Sequence, residues 1–184
     1  MKKRNSQGIK VLTTSAMLVA LSTTIAIICK IVPVLNLGIG LRITFENLPI
    51  ILAGVMFGPI IGACVGAAAD LVSSLATGQD VQLLITVGAL SVGLISGLCS
   101  RFIVRKKGVL KFVVSEICAQ IIGSMVIKTA VLYYMYKSPI VFLRIPLYIG
   151  IIIVEIILFC IIYKNKFIKK FIDSFSAREK YELR

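Results

Sequence analysis

The stretch Leu41–Gly78, LRITFENLPIILAGVMFGPIIGACVGAAADLVSSLATG, decides how this chain folds. It is mostly apolar, yet Arg42, Glu46 and Asp70 sit within it. The run from Ile43 to Gly58 is short for a bilayer span, which takes about 20 apolar residues. Phe57-Gly58-Pro59 breaks the run, and a second apolar run continues to Gly78. Proline ends a helix on its N-terminal side and glycine supplies the turn, so the break predicts two helices joined at Gly58-Pro59.

The second run spaces Gly62, Gly66, Asp70, Ser74 and Gly78 four apart, which puts them on one slowly drifting helical face. Small residues let a second helix approach closely. Asp70 lies on that face, more than a turn inside the apolar run. A carboxylate there costs several kcal/mol unless it meets a partner or a polar cavity. Two readings follow: an acid that binds a ligand, or an internal ion pair with Lys128.

Working outward, the whole chain is of one kind. Its 184 residues are 58% hydrophobic and its mean hydropathy is +0.99. That composition excludes an ordinary soluble domain and predicts a polytopic membrane protein. Six helices are expected, at about 11–32, 43–58, 60–77, 81–104, 109–134 and 146–163, forming a single all-α membrane domain over 1–184. The first run lacks a small-residue cleavage site and is read as a retained helix rather than a signal peptide.

The net charge of +13 raises the possibility of nucleic acid, but the basic residues cluster at the ends of apolar runs, as cytoplasmic anchors do. Four Lys/Arg lie in residues 1–10, five in 101–111 and seven from 164 on, against only Lys30, Arg42, Lys137 and Arg144 at the other ends. This asymmetry places both termini in the cytoplasm. A multi-pass protein of the cell membrane is expected.

Chemistry is sparse. The chain has no histidine, and Cys29, Cys64, Cys99, Cys118 and Cys160 stand singly, so no metal site or disulfide is expected. No GxxxxGK[ST] is present, so no nucleotide cofactor is expected in this chain. Glu116, Gln120, Ser124 and Lys128, four apart, line one face of the fifth helix and should face the bundle interior. Glu155 lies mid-span in the sixth helix. Asp70, Gln79, Asp80, Gln82, Thr86, Lys128, Arg144, Arg42 and Glu46 all fall in the outer half or outer loops. They predict an outward-facing pocket for a polar solute. An intramembrane enzyme is disfavoured because no nucleophile–base pair accompanies the carboxylates. A channel is disfavoured because the inner half holds few polar groups.

The residues resemble a family. Six helices with Ala16-x-x-x-Ala20 in the first look like the substrate-specific S component of an energy-coupling factor (ECF) vitamin transporter. The blocks Leu41–Pro49, Leu52–Pro59 and Gly62–Asp70 are similar to its folate branch, and the resemblance covers essentially the whole membrane region. It implies a subunit, not an enzyme, that captures vitamin from outside. The subunit then docks on one transmembrane coupling subunit and two ATP-binding subunits, and topples to release vitamin inside. Ala16 and Ala20 would lie at the docking surface.

Folate also suits the chemistry of the residues. A pterin offers an amino group and a ring N–H side by side, which a carboxylate accepts in bidentate fashion. Asp70 is the first candidate and Glu46 the second. Arg42, Lys128 and Arg144 are cations for the anionic glutamate tail. Gln79, Gln82, Thr86 and Asn47 are available for hydrogen bonds, and Phe45 and Tyr133 for stacking on the rings. Each of these loop residues is equally read as ordinary interfacial solvation. Pantothenate, or another small precursor, is the alternative substrate.

Overall fold

The computed structural model describes residues 2–31, 36–38, 41–42, 44–78, 82–103, 109–137 and 144–164. Gln79 and Asp80, expected in the polar pocket, and the basic tail beyond Lys164 lie outside them. Among these residues seven α-helices follow one another: α1 (Lys2–Ile31), α2 (Asn47–Phe57), α3 (Pro59–Ala76), α4 (Leu83–Leu98), α5 (Val109–Ala119), α6 (Thr129–Tyr136) and α7 (Arg144–Lys164). A π-helical turn, Cys99–Ile103, extends α4, and a π-helical segment, Gln120–Lys128, joins α5 to α6 without a break.

Among the described residues, four helical stretches are long and apolar enough to cross a membrane: Gly8–Ile31, Pro59–Ala76, Leu83–Phe102 and Val109–Tyr134. Asn47–Phe57 and Ile145–Ile161 are shorter apolar helices. At 1.5 Å per residue α2 is roughly 16 Å long, about half the thickness of a bilayer core. It is nevertheless buried along most of its length, packed against α3, α4 and α1.

The turn between α2 and α3 follows from two residues. Gly58 has φ +91° and ψ 178°, a conformation that is essentially glycine-only. Pro59 stands in the first turn of α3, where its missing N–H costs nothing. Between α1 and α2 lies a small antiparallel ribbon, β1 (Asn36–Gly38) and β2 (Leu41–Arg42), pairing Asn36 with Arg42 and Gly38 with Leu41. A run with apolar residues and two glycines can satisfy its backbone groups on itself in this way.

The small-residue face of α3 meets α4 as a ladder. A Cβ on Gly62 would lie 2.6 Å from Gly93 O, and one on Gly66 would meet Ala89 O. One turn further along α3, Asp70 reaches Thr86 of α4. Backbone contact this close excludes side chains at Gly62 and Gly93 and brings α3 and α4 together along their length.

The rest of the core is apolar, with Ile50, Ile51, Val55 and Met56 of α2 set among Val65, Val92, Phe112 and Phe159. Phe112 and Phe159 stack with centroids 3.5 Å apart, joining α5 to α7. The outer surface carries Ile60, Leu75, Leu83, Phe102, Tyr134 and Ile161, all exposed, while Glu46, Asn47, Glu116, Gln120, Lys128 and Glu155 are buried. Apolar outside with charged groups inside is the pattern of a bundle solvated by lipid.

Candidate functional site

The structure gathers the polar residues into two clusters, one on each side of α4. The first is built on the turn before α2. Ser22 Oγ of α1 donates to the backbone carbonyl of Glu46 at 2.7 Å, holding the chain where it enters the bundle. The Glu46 side chain then faces Lys128 Nζ at 3.9 Å. Lys128 also donates to Asn47 Oδ1 at 3.4 Å. Asn47 Nδ2 donates to Gln120 Oε1 at 3.1 Å and to Ser124 Oγ at 3.3 Å. Gln120 Nε2 donates in turn to Glu116 and Glu155.

A continuous buried hydrogen-bonded chain therefore runs from Glu46 at the head of α2 to Glu155 in α7. Its amides have a fixed sense, because each side-chain oxygen must face a donor and each NH₂ an acceptor. Gln120, Ser124 and Lys128 are presented by the π-helical segment. That wider winding spreads residues four apart around the axis less than an α-helix does. All three are buried, as is Glu116 one turn earlier.

In the second cluster, Thr86 Oγ1 donates to Asp70 Oδ2 at 2.7 Å. Ser73 Oγ donates to the Asp70 carbonyl at 3.0 Å, and Lys30 Nζ at the end of α1 donates to Ser73 Oγ at 3.2 Å. Thr86 also lies 3.4 Å from the carbonyl of Gln82, the residue before α4. Asp70, Lys30 and Gln82 are half-buried at this end of the bundle.

Of the two readings of Asp70, the internal ion pair with Lys128 is not formed. Thr86, which holds Asp70, and Gly88, over which the Lys128 stem passes, are two residues apart on α4. They therefore point roughly 200° apart around its axis. Asp70 takes a hydroxyl as partner, and Lys128 takes Glu46.

Other candidate residues are placed as follows. Phe45 is half-buried beside Glu46, and Tyr133 is exposed on α6. Arg42 lies in β2 and Arg144 opens α7, with side chains outside the described residues. Ala16 and Ala20 are both exposed on α1, in line with exposed Met17 and Leu21.

The sequence reading left Gln120, Ser124, Glu116 and Glu155 out of the candidate site. The four-residue spacing ending at Lys128 was the available signal. Two side chains bring it into the site: Asn47, which binds Gln120 and Ser124, and Glu155, which binds Gln120 from α7. Among the described residues, no group of three or more His, Cys, Asp or Glu is arranged to hold a metal ion.

The arrangement offers four carboxylates, Glu46, Asp70, Glu116 and Glu155, and two lysines, Lys30 and Lys128, with hydroxyl and amide groups fixed between them. That is equipment for holding a polar solute. The family model for the substrate-specific component of ECF transporters matches residues 10–163, which contain both clusters. The chain belongs to this family. Its members are membrane proteins that bind the substrate of a transporter, a vitamin, and work with an ECF module; they are not a class of enzyme. Comparison with curated proteins and with solved structures returned no match.

Proposed function

We propose that this S component is the high-affinity folate-binding subunit of its transporter. The single observation behind the reading is the incompletely paired cation of the first cluster. Lys128 is 5% exposed, yet its two described partners stand at 3.9 and 3.4 Å, both longer than a good charge-assisted hydrogen bond. An anionic group entering beside Lys128 would shorten and complete its coordination. The glutamate tail of folate supplies such a group. Asp70 then takes the pterin edge, with Thr86 orienting its carboxylate. Glu46 and Asn47 hold Lys128, and Arg42, Gln79, Gln82 and Arg144 complete the polar contacts. Phe45 and Tyr133 are the ring-stacking residues of this reading.

The whole chain acts as one membrane domain of the bacterial plasma membrane, crossing six times with both termini inside. The charge asymmetry along the sequence supports this orientation. The exposed Ala16–Ala20 strip docks on the transmembrane coupling subunit, and two ATP-binding subunits supply the hydrolysis that topples the protein. The chain itself carries no cofactor.

The test is folate binding by the purified chain in detergent, with pantothenate as the control. Saturable submicromolar binding of folate alone supports the proposal. Binding of pantothenate instead moves the chain to another substrate of the same family. Binding of neither defeats both substrate assignments.

A further inference from the structure

The far end of the buried chain has a charge problem that the vitamin site does not solve. Glu116 of α5 and Glu155 of α7 are both 0% exposed. One amide, Gln120 Nε2, lies against Glu116 Oε1 and Glu155 Oε2 together, so the two carboxyl groups converge on it. Their remaining oxygens, Glu116 Oε2 and Glu155 Oε1, are buried with no donor among the described residues.

Two ionised carboxylates are acceptors only, so two of them drawn to one amide repel each other unless a positive charge joins them. One amide donor does not offset two anions removed from water. The neighbouring elements provide no remedy. Glu46, ahead of α2, is a further acid acting on Glu155. Lys128, in the π-helical segment, is turned to Glu46 and Asn47. Cys99, at the end of α4, and Cys118 of α5 make a thiol contact with each other.

We propose that Glu116 and Glu155 form a binding site for one monovalent cation, a proton or a sodium ion, held between the two carboxyl groups that converge on Gln120. The site lies at the far end of the first cluster, away from the Lys128 end that the proposed function gives to the vitamin. Gln120 has its NH₂ on the glutamates and its oxygen on Asn47, which holds Lys128. Losing the cation would pull the Gln120 amide harder toward the glutamates and loosen its grip on Asn47. The inference is independent of which vitamin is carried, and its test uses none.

The full chain is placed in phosphatidylcholine nanodiscs beside the isosteric double variant Glu116→Gln/Glu155→Gln. Two readings are taken at neutral pH: the infrared carbonyl stretch of protonated carboxylic acid in sodium-free buffer, and the melting midpoint in sodium chloride against choline chloride at equal ionic strength. A shared proton gives the wild type an acid band that the double variant lacks, with melting indifferent to sodium. A sodium ion gives a midpoint that rises with sodium in the wild type alone, whether or not a proton takes the empty site and gives the acid band in sodium-free buffer. Either result supports the site and names its cation. A wild type with neither signature overturns it, and so do signatures that persist unchanged in the double variant. The wild-type readings stand even if the variant folds poorly.

Discussion

Lys128 lies across the bare backbone of Gly88. A Cβ added at Gly88 would fall 2.6 Å from Lys128 Cγ and 3.5 Å from its Cδ and Cε. The ammonium therefore reaches Glu46 and Asn47 because α4 has no side chain where the lysine stem crosses it. Helix packing and site chemistry meet at this one contact, and it separates two roles that a sequence does not distinguish: glycine for close helix packing and glycine as a platform for a charged side chain.

Gly88→Ala should displace the lysine stem and weaken binding of anionic vitamin. Overpacking of a tight site costs about 1–3 kcal/mol, and a loss of about 1.4 kcal/mol is ten-fold in affinity. Folate titration of Gly88→Ala against Gly150→Ala reads the effect. A Cβ at Gly150 meets nothing, so that variant should bind as wild type. Equal affinities for the two variants would remove Gly88 from the site.

Gly93→Val should act differently, on the helix pair rather than the ligand. The Cβ would be driven into the backbone of Gly62 on α3, which has no flexible side chain to yield. Thermal denaturation in detergent should show a clear fall in midpoint, well beyond that of Gly150→Val. An unchanged midpoint would mean that the α3–α4 ladder is looser than described.

Asp70→Asn should weaken folate binding by more than ten-fold, because a charge-assisted bidentate contact contributes about 1.5–3 kcal/mol. Thr86→Val should lower affinity less, since it removes only the hydroxyl that orients the carboxylate. Combining the two should cost less than the sum of the single losses, because Thr86 acts through Asp70. Strictly additive losses in a binding titration would place Thr86 on the ligand instead.

Much of this was legible in the sequence, and the remainder was not for definite reasons. The Gly58-Pro59 break shows the α2–α3 turn because both residues have strong backbone preferences. The spacing Gly62, Gly66, Asp70 shows one face of α3, and α4 packs on that face. The partner of each polar residue was harder to see. Asp70 and Lys128 have opposite charges and looked complementary, but α4 stands between them, and only the rotation between Thr86 and Gly88 shows it. The four-residue spacing Glu116, Gln120, Ser124, Lys128 gives a polar face, but nothing local tells that Asn47 and Glu155 converge on it. Those contacts link residues 73 and 35 positions apart from Gln120.

Gln120→Leu should be the most damaging single change in the buried chain. It removes the oxygen that accepts from Asn47 and the amide that serves both Glu116 and Glu155, leaving several buried polar groups short of a partner. Each such group costs about 1–3 kcal/mol. Ser124→Ala removes one acceptor of Asn47 while Gln120 remains, so it should be mild by comparison. Melting midpoints of the two variants, measured side by side in the same detergent, decide the matter. A Gln120→Leu protein as stable as Ser124→Ala would show that the chain from Glu46 to Glu155 is not held together through Gln120.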